Sequence, residues 1–156
     1  MKNVYILFFC TLLCACGFHL RGNINLPPTV MPIAVVTKKG HSPLERLLER
    51  KLRLQNADVT EDPSKAKYLI IILDERFRQD IAAVAASTAP RQYQLTYKVV
   101  FQLKKARGKS TLPDEPISIS VNRLLTINND RILGSDSEAS ILKSEMKADV
   151  ATQILA

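Results

Sequence analysis

The stretch Gln92–Leu103, QYQLTYKVVFQL, decides the fold because apolar and polar side chains alternate along almost all of it. A period of two is the pattern of a β-strand that buries one of its faces. The apolar face carries Tyr93, Leu95, Tyr97, Val99, Phe101 and Leu103. The opposite face carries Gln92, Gln94, Thr96, Lys98 and Gln102. We therefore expect a sheet whose one face packs on helices while its other face meets water or a polar partner.

Two strands and one helix are predicted before this stretch. Met31–Thr37 and Lys67–Leu73 are short runs of apolar and β-branched residues, which is typical of buried strands. Between them, Ser42 has the position of a helix N-cap, and Asn56 is expected to end that helix. The buried stripe of the helix, at helical spacing, consists of Leu44, Leu47, Leu48 and Leu52, with Leu54 near its edge.

One strand and one helix are predicted after it. Pro116–Leu125 alternates in the same way, and Asp136 or Ser137 is expected to cap the last helix. That helix repeats apolar residues every four positions, at Leu142, Met146, Val150 and Ile154. The order β-α-β-β-β-α predicts an α+β fold, a four-stranded, mostly antiparallel sheet with two helices packed on one face.

The N-terminal segment has the pattern of a secretory signal. Lys2 gives a positive start, and Val4–Leu13 is an apolar run interrupted only by Thr11. Leu13–Cys16, LCAC, resembles the lipobox of bacterial lipoproteins, which implies diacylglycerol on the sulfur of Cys16. We predict a signal peptide at 1–15, a lipidated tether at 16–28 and one domain at 29–156. The alternatives are an ordinary signal peptide or a transmembrane helix, but a helix that spans a bilayer needs about 20 apolar residues.

Charge and cysteine content restrict the partners. The chain has 22 basic and 15 acidic residues, and cleavage after residue 15 would remove only Lys2 from this balance. Export argues against nucleic acid, which leaves envelope polyanions such as lipopolysaccharide and anionic phospholipid, or ordinary solubility charge. Cys10 and Cys14 would leave with the signal and Cys16 would be acylated, so no thiol remains for a disulfide or a metal.

No catalytic motif is present. His19 and His41 are the two histidines, and neither has a further ligand at metal-binding spacing. The chain has no Gly-rich phosphate loop and no G-x-S-x-G elbow. The pair Asp74–Glu75 is interpreted as a solvated strand end, because adjacent strand residues point to opposite faces. We predict no enzyme, no cofactor and no metal.

Several segments resemble the LptE family of lipopolysaccharide-assembly lipoproteins. Cys16–Gly22, CGFHLRG, is similar to the start of the mature family sequence. The strand Arg91–Val99, the turn at Arg107–Gly108 and the closing-helix segments Ser144–Asp149 and Gln153–Leu155 follow in the family's order. The resemblance covers nearly the whole mature chain and implies the family fold, a four-stranded sheet with two helices.

The resemblance also implies a function and a location. In that family the lipoprotein is a plug inside the LptD outer-membrane β-barrel, helps the barrel assemble and contacts lipopolysaccharide. It is anchored through acyl chains to the periplasmic side of the outer membrane. Two other classes stay open, an anchored envelope scaffold that handles no lipopolysaccharide and a periplasmic hydrolase or inhibitor.

Candidate binding residues follow from the chemistry of phosphate, which arginine binds with two parallel hydrogen bonds and lysine as a point charge. The candidates on or beside strands are Arg78, Arg91, Lys98 and Arg123. The basic turn with Lys104, Lys105 and Arg107 is the alternative, and a solvated surface base fits each position equally.

A candidate barrel contact lies in the uncharged stretch Ile81–Pro90, which costs little desolvation to bury. Its tip consists of Ala85, Ala86, Ser87 and Thr88. The alternative is that this stretch only continues a strand into a turn.

Overall fold

Four strands form one open sheet in the order β1-β2-β3-β4, and both helices contribute to a single apolar core on one side of it. The elements are β1 Ile33–Thr37, α1 Pro43–Leu54, β2 Tyr68–Val84, β3 Pro90–Lys105, β4 Ile117–Thr126 and α2 Ile132–Leu155. The computed structural model describes residues 27–38, 40, 42–84, 90–108, 115–127 and 132–156, with backbone alone at 28, 84, 90, 91 and 132–136. β1 is parallel to β2, and the other pairs are antiparallel. The predicted α+β fold is confirmed.

β3 lies between β2 and β4, and its alternation is as predicted. Leu95, Tyr97, Val99 and Phe101 are each at most 3% exposed. Tyr93 and Leu103 pack against the edge of the same core. Because β3 has a strand on each side, its apolar face lies over the centre of the core, to which residues of both helices also belong.

α1 begins at its predicted cap. The backbone N–H of Leu44 donates to Ser42 Oγ at 3.0 Å, and the N–H of Ser42 donates to the Glu45 carboxylate at 3.2 Å. The two bonds satisfy backbone donors that a helix leaves unpaired at its start. Asn56 follows the helix with a φ of 58°, a left-handed conformation that asparagine tolerates. The buried positions of α1 are Leu44, Leu48 and Leu52.

α2 begins earlier than the sequence predicts. Its first residue is Ile132, so the predicted cap at Asp136 or Ser137 is wrong and both residues lie inside the helix. Gly134 also lies inside it, because a glycine costs a helix only about 1 kcal/mol relative to alanine. The predicted apolar face is confirmed, with Ala151 and Leu155 buried in addition to Met146, Val150 and Ile154, and with Leu142 packed at the edge.

β2 pairs with β3 as far as Val84, well beyond the apolar run Lys67–Leu73. The register shifts between Ile72 and Asp74, which makes Leu73 the extra residue of a bulge. A bulge changes which side chains face the core. After it, Glu75 lies opposite the buried Val99, and Asp74 lies on the other face.

The long β2–β3 hairpin gives the sheet two ends. The proximal end is where the described chain begins, and there Lys67 N donates to Pro32 O at 2.7 Å. The distal end is where Val84 pairs with Pro90. β1 pairs only with Tyr68–Ile72, so it covers the proximal part of β2 alone.

Candidate functional site

The side of the sheet opposite the helices, which we call the open face, is polar and has no helix of the described chain packed on it. Strand register and burial place on it mainly polar residues, with Val100 and the exposed Leu124 as apolar exceptions; the polar ones are Arg76, Arg78 and Asp80 of β2, Gln94, Thr96 and Lys98 of β3, and Ser120 and Asn122 of β4. Thr96 Oγ1 donates to Asn122 Oδ1 at 2.8 Å across two strands. Amides and hydroxyls at this density suit a wet or polar contact rather than a second apolar core.

Three cations meet on the open face. Arg76 lies directly opposite Lys98, and Arg78 follows two residues along β2 on the same face. Like charges directly opposite each other in a sheet repel, so an anion between them is stabilised. Asp74 Oδ2 lies 3.5 Å from Arg76 Nη2, and Asp80 Oδ1 lies 3.4 Å from Arg78 Nη2. Exposed ion pairs contribute only about 0–1 kcal/mol, so a phosphate can replace these carboxylates at little cost.

The residues predicted to bind phosphate do not all lie on the same face of the sheet. Arg78 and Lys98 share the open face, whereas Arg123 lies on the helix side and its guanidinium donates to Asp149 of α2. Arg91 belongs to β3, but its side chain lies outside the described part of the chain. Arg76 was missed by the sequence analysis, although its position two residues before Arg78 on one strand was a signal for it.

The other predicted sites lie elsewhere. Cys16 and the tip Ala85–Thr88 are outside the described residues. The alternative basic turn lies at the proximal end, where Lys105 pairs with Tyr68. Along β3 its first residue, Lys104, lies six positions from Lys98.

Glu75 corrects the interpretation of Asp74–Glu75 as a solvated strand end. Tyr97 Oη donates to Glu75 Oε1 at 2.7 Å, and Ser42 Oγ donates to Glu75 Oε2. The reason is the bulge at Leu73, which directs Glu75 to the helix side of the sheet. One carboxylate therefore joins the N-cap of α1 to β2 and β3.

A cavity of about 430 Å³ lies beside this network, and Ser42, Glu75, Tyr97 and Lys143 are among its lining residues. Burial raises the pKa of Tyr97, and the hydrogen bond to Glu75 and the charge of that carboxylate raise it further. Lys143 Nζ lies 4.8 Å from the centre of the Phe77 ring, at cation–π distance. The phenol and the carboxylate with its two donors join the N-cap of α1 to the sheet.

The described residues lack two further features, a metal-binding cluster and a membrane-spanning helix. Within them, no three His, Cys, Asp or Glu side chains are grouped closely enough to hold a metal ion. Neither helix of the described chain has the length and apolar character needed to cross a membrane.

The fold and the open face can now be compared with known proteins. Residues 30–156 match the model of a family described as LptE, lipopolysaccharide-assembly. The chain belongs to the LptE family. An LPS-assembly lipoprotein LptE of Yersinia enterocolitica is 26% identical over 144 residues, which are 90% of this chain and 66% of that protein. The LptE of Photorhabdus laumondii is 27% identical over 140 residues, which are 90% of this chain and 75% of that protein.

Two solved structures of lipoproteins are similar in fold to this chain. The solution structure of lipoprotein B from Nitrosomonas europaea superposes with a TM-score of 0.71 at 25% identity, covering 89% of this chain and 88% of that one. The crystal structure of the rare lipoprotein B from Shewanella oneidensis has a TM-score of 0.66 at 19% identity, covering 79% and 89%. At this identity, the Shewanella structure shows only that the two proteins share a fold.

Proposed function

We propose that this LptE-family chain is an outer-membrane lipoprotein that plugs the LptD β-barrel, helps it assemble and assists the insertion of lipopolysaccharide. The observation that carries the proposal is the open face, a polar sheet surface that neither helix covers. The lumen of a large transmembrane barrel is polar, while its outer band faces lipid. A domain with an apolar core on one side only and polar groups on the other matches such a lumen.

The anchor belongs to the same proposal. Residues 1–15 act as the signal, Cys16 carries the lipid, and 16–28 tether the domain of residues 29–156 to the periplasmic side of the outer membrane. The relatives named above are lipoproteins by name, which supports an anchor at the cysteine of the LCAC motif. The proximal end of the sheet then lies nearer the membrane anchor along the chain than the distal end does.

Lipopolysaccharide contact is assigned to the open face. Arg78 and Lys98 are retained from the sequence prediction, and Arg76 is added because it lies opposite Lys98. Arg123 is left out since it lies on the helix side of the sheet, and Arg91 and the tip Ala85–Thr88 remain predictions.

Affinity purification of the lipidated chain from outer membranes tests the partnership. We expect a large barrel protein to co-purify. A photo-crosslinking residue at Ser120 on the open face is expected to capture the same protein, and one at Glu61 in the loop at the proximal end serves as the matched control. If no barrel is recovered and Ser120 captures nothing, the plug is excluded and an anchored scaffold becomes the better interpretation.

A further inference from the structure

A second basic site lies at the proximal end and is separate from the open face. An open cleft of about 400 Å³ is lined by Ser64, Lys65, Ala66, Lys67, Lys105 and Arg107. Four of these six residues carry a positive charge, and none carries a carboxylate. We call it the proximal cleft.

Two backbone contacts hold the cations of the proximal cleft together. Arg107 Nη2 donates to Ser64 O at 2.8 Å, which fixes the end of the β2–β3 hairpin against the loop before β2. Ala106 N donates to Lys67 O at 2.9 Å and joins the same two segments. These two bonds involve the Arg107 guanidinium and backbone atoms, and not the side chains of Lys67 and Lys105. Both lysines are exposed.

One acidic residue lies close to the cleft. Asp62 Oδ2 is 3.7 Å from Lys65 Nζ, and Asp62 also accepts from the N–H and hydroxyl of Ser64, which lowers the pKa of Asp62. It therefore stays ionised and offsets one of the four charges. The other three, Lys67, Lys105 and Arg107, are exposed.

The position of the cleft indicates what it meets. Lys67 N donates to Pro32 O at 2.7 Å, so the cleft adjoins the point where the chain comes from the N-terminal segment. Pro32 lies 16 positions after Cys16, and a fully extended chain of that length spans at most about 58 Å. An acyl group on Cys16 would keep the proximal cleft within that distance of the membrane surface.

We infer that the proximal cleft binds the phosphate headgroups of anionic phospholipid in the membrane to which the chain is anchored. The inference rests on the proposed anchor at Cys16. The lysines supply point charges for a headgroup phosphate. The guanidinium of Arg107 has further N–H donors for the phosphate besides the one bonded to Ser64 O. Each basic residue near an anionic surface strengthens binding by about fivefold, so the cleft supplies a second attachment beside the acyl chains.

Vesicle binding by the full mature chain carrying Cys16→Ser tests this contact without the acyl group or any barrel. The vesicles contain phosphatidylglycerol mixed with phosphatidylcholine, or phosphatidylcholine alone. We expect binding only to the first, and the variant K65Q/K67Q/K105Q should lose about 100-fold in affinity. The control K38Q/R46Q/R50Q removes the same charge from exposed positions elsewhere and should lose less than about fivefold. The variant K65R/K67R/K105R keeps the charge and should bind as the parent does.

Three results would overturn the inference. The first is equal binding of the chain to both kinds of vesicle. The second is an equal loss of affinity in the cleft variant and in its charge-matched control. The third is that inorganic phosphate displaces the chain from the vesicles more than chloride does at the same ionic strength, which would indicate a small-anion site. Since LptD is absent from the assay, none of these results tests the proposal that the chain plugs the barrel. In the same way, failure to co-purify a barrel does not test the binding of phospholipid by the proximal cleft.

Discussion

Glu75 shows how much a single side chain contributes here. Its carboxylate accepts hydrogen bonds from Tyr97 on β3 and from Ser42, whose hydroxyl also caps α1. A helix start, the longest strand and the central strand are thereby joined at one point. The network is buried on the Tyr97 side, where the phenol is 1% exposed.

The raised pKa of Tyr97 predicts a specific loss of stability at alkaline pH. In the unfolded chain the phenol ionises near pH 10, whereas in the folded chain it keeps its proton to a higher pH. The unfolded state therefore binds fewer protons above about pH 10, and the free energy of unfolding falls there. Tyr97→Phe should lower stability at neutral pH by about 1 kcal/mol, through the lost hydrogen bond, but flatten the alkaline decline.

Urea unfolding between neutral and alkaline pH measures both effects. Tyr68→Phe, the same change at a half-buried tyrosine, is the control and should keep the parent's alkaline slope. An unchanged slope in Tyr97→Phe would contradict the assignment.

At the scale of residues, sequence reasoning located Lys98 and Arg78 but not Glu75 or Arg76. Lys98 lies in a regular alternation, so its face follows from counting in twos. The bulge at Leu73 adds one residue to β2 and reverses the face of the side chains from Asp74 to Ile81, after which the register shifts again. A bulge has no clear mark in an apolar run such as Lys67–Leu73, so the face of Glu75 required the structure.

Among the elements, α1 was fully predictable and α2 only in part. α1 has a capping box at its start and an asparagine in left-handed conformation after its end, and both are local signals. The start of α2 carries Gly134, Ser135 and Asp136, which are poor helix formers. Local preference there indicated a loop, and the helix nevertheless begins at Ile132 and continues through them.

The same substitution should cost much more stability on the buried face of α1 than on its exposed face. Leu48 is fully buried and Leu54 is 76% exposed. Leu48→Ala should lower the free energy of unfolding by about 2–5 kcal/mol, because it removes buried methyl groups and leaves a cavity. Leu54→Ala should change it by less than about 0.5 kcal/mol. Chemical denaturation of both variants measures the difference, and similar values would mean that the helix packs by another face.

At the scale of the molecule, the two basic surfaces should be separable. The variant R76Q/R78Q/K98Q removes the cations of the open face, and its affinity for purified lipopolysaccharide should fall by at least about tenfold, since hydrogen bonds to charged groups are the stronger ones. The parent's affinity should itself decrease as salt is raised. All three side chains are exposed, so stability should change by less than about 0.5 kcal/mol.

The proximal-cleft variant K65Q/K67Q/K105Q is the matched control for lipopolysaccharide, because it removes the same charge from the other end of the sheet. It should retain the parent's affinity. Equal losses in both variants would show that only the overall positive charge matters, and the three cations of the open face would then be no specific site.

Because β1 is short, it leaves part of the edge of β2 uncovered. β1 ends its pairing at Ile72, so the outer backbone edge of Asp74–Val84 has no strand beside it among the described residues. Such an edge is a template on which a second copy can add its own strand and begin a fibre. Arg76, Arg78 and Asp80 oppose this by charge, but Ile81–Ala83 do not. Copies produced in excess of a partner would then aggregate from the distal end first.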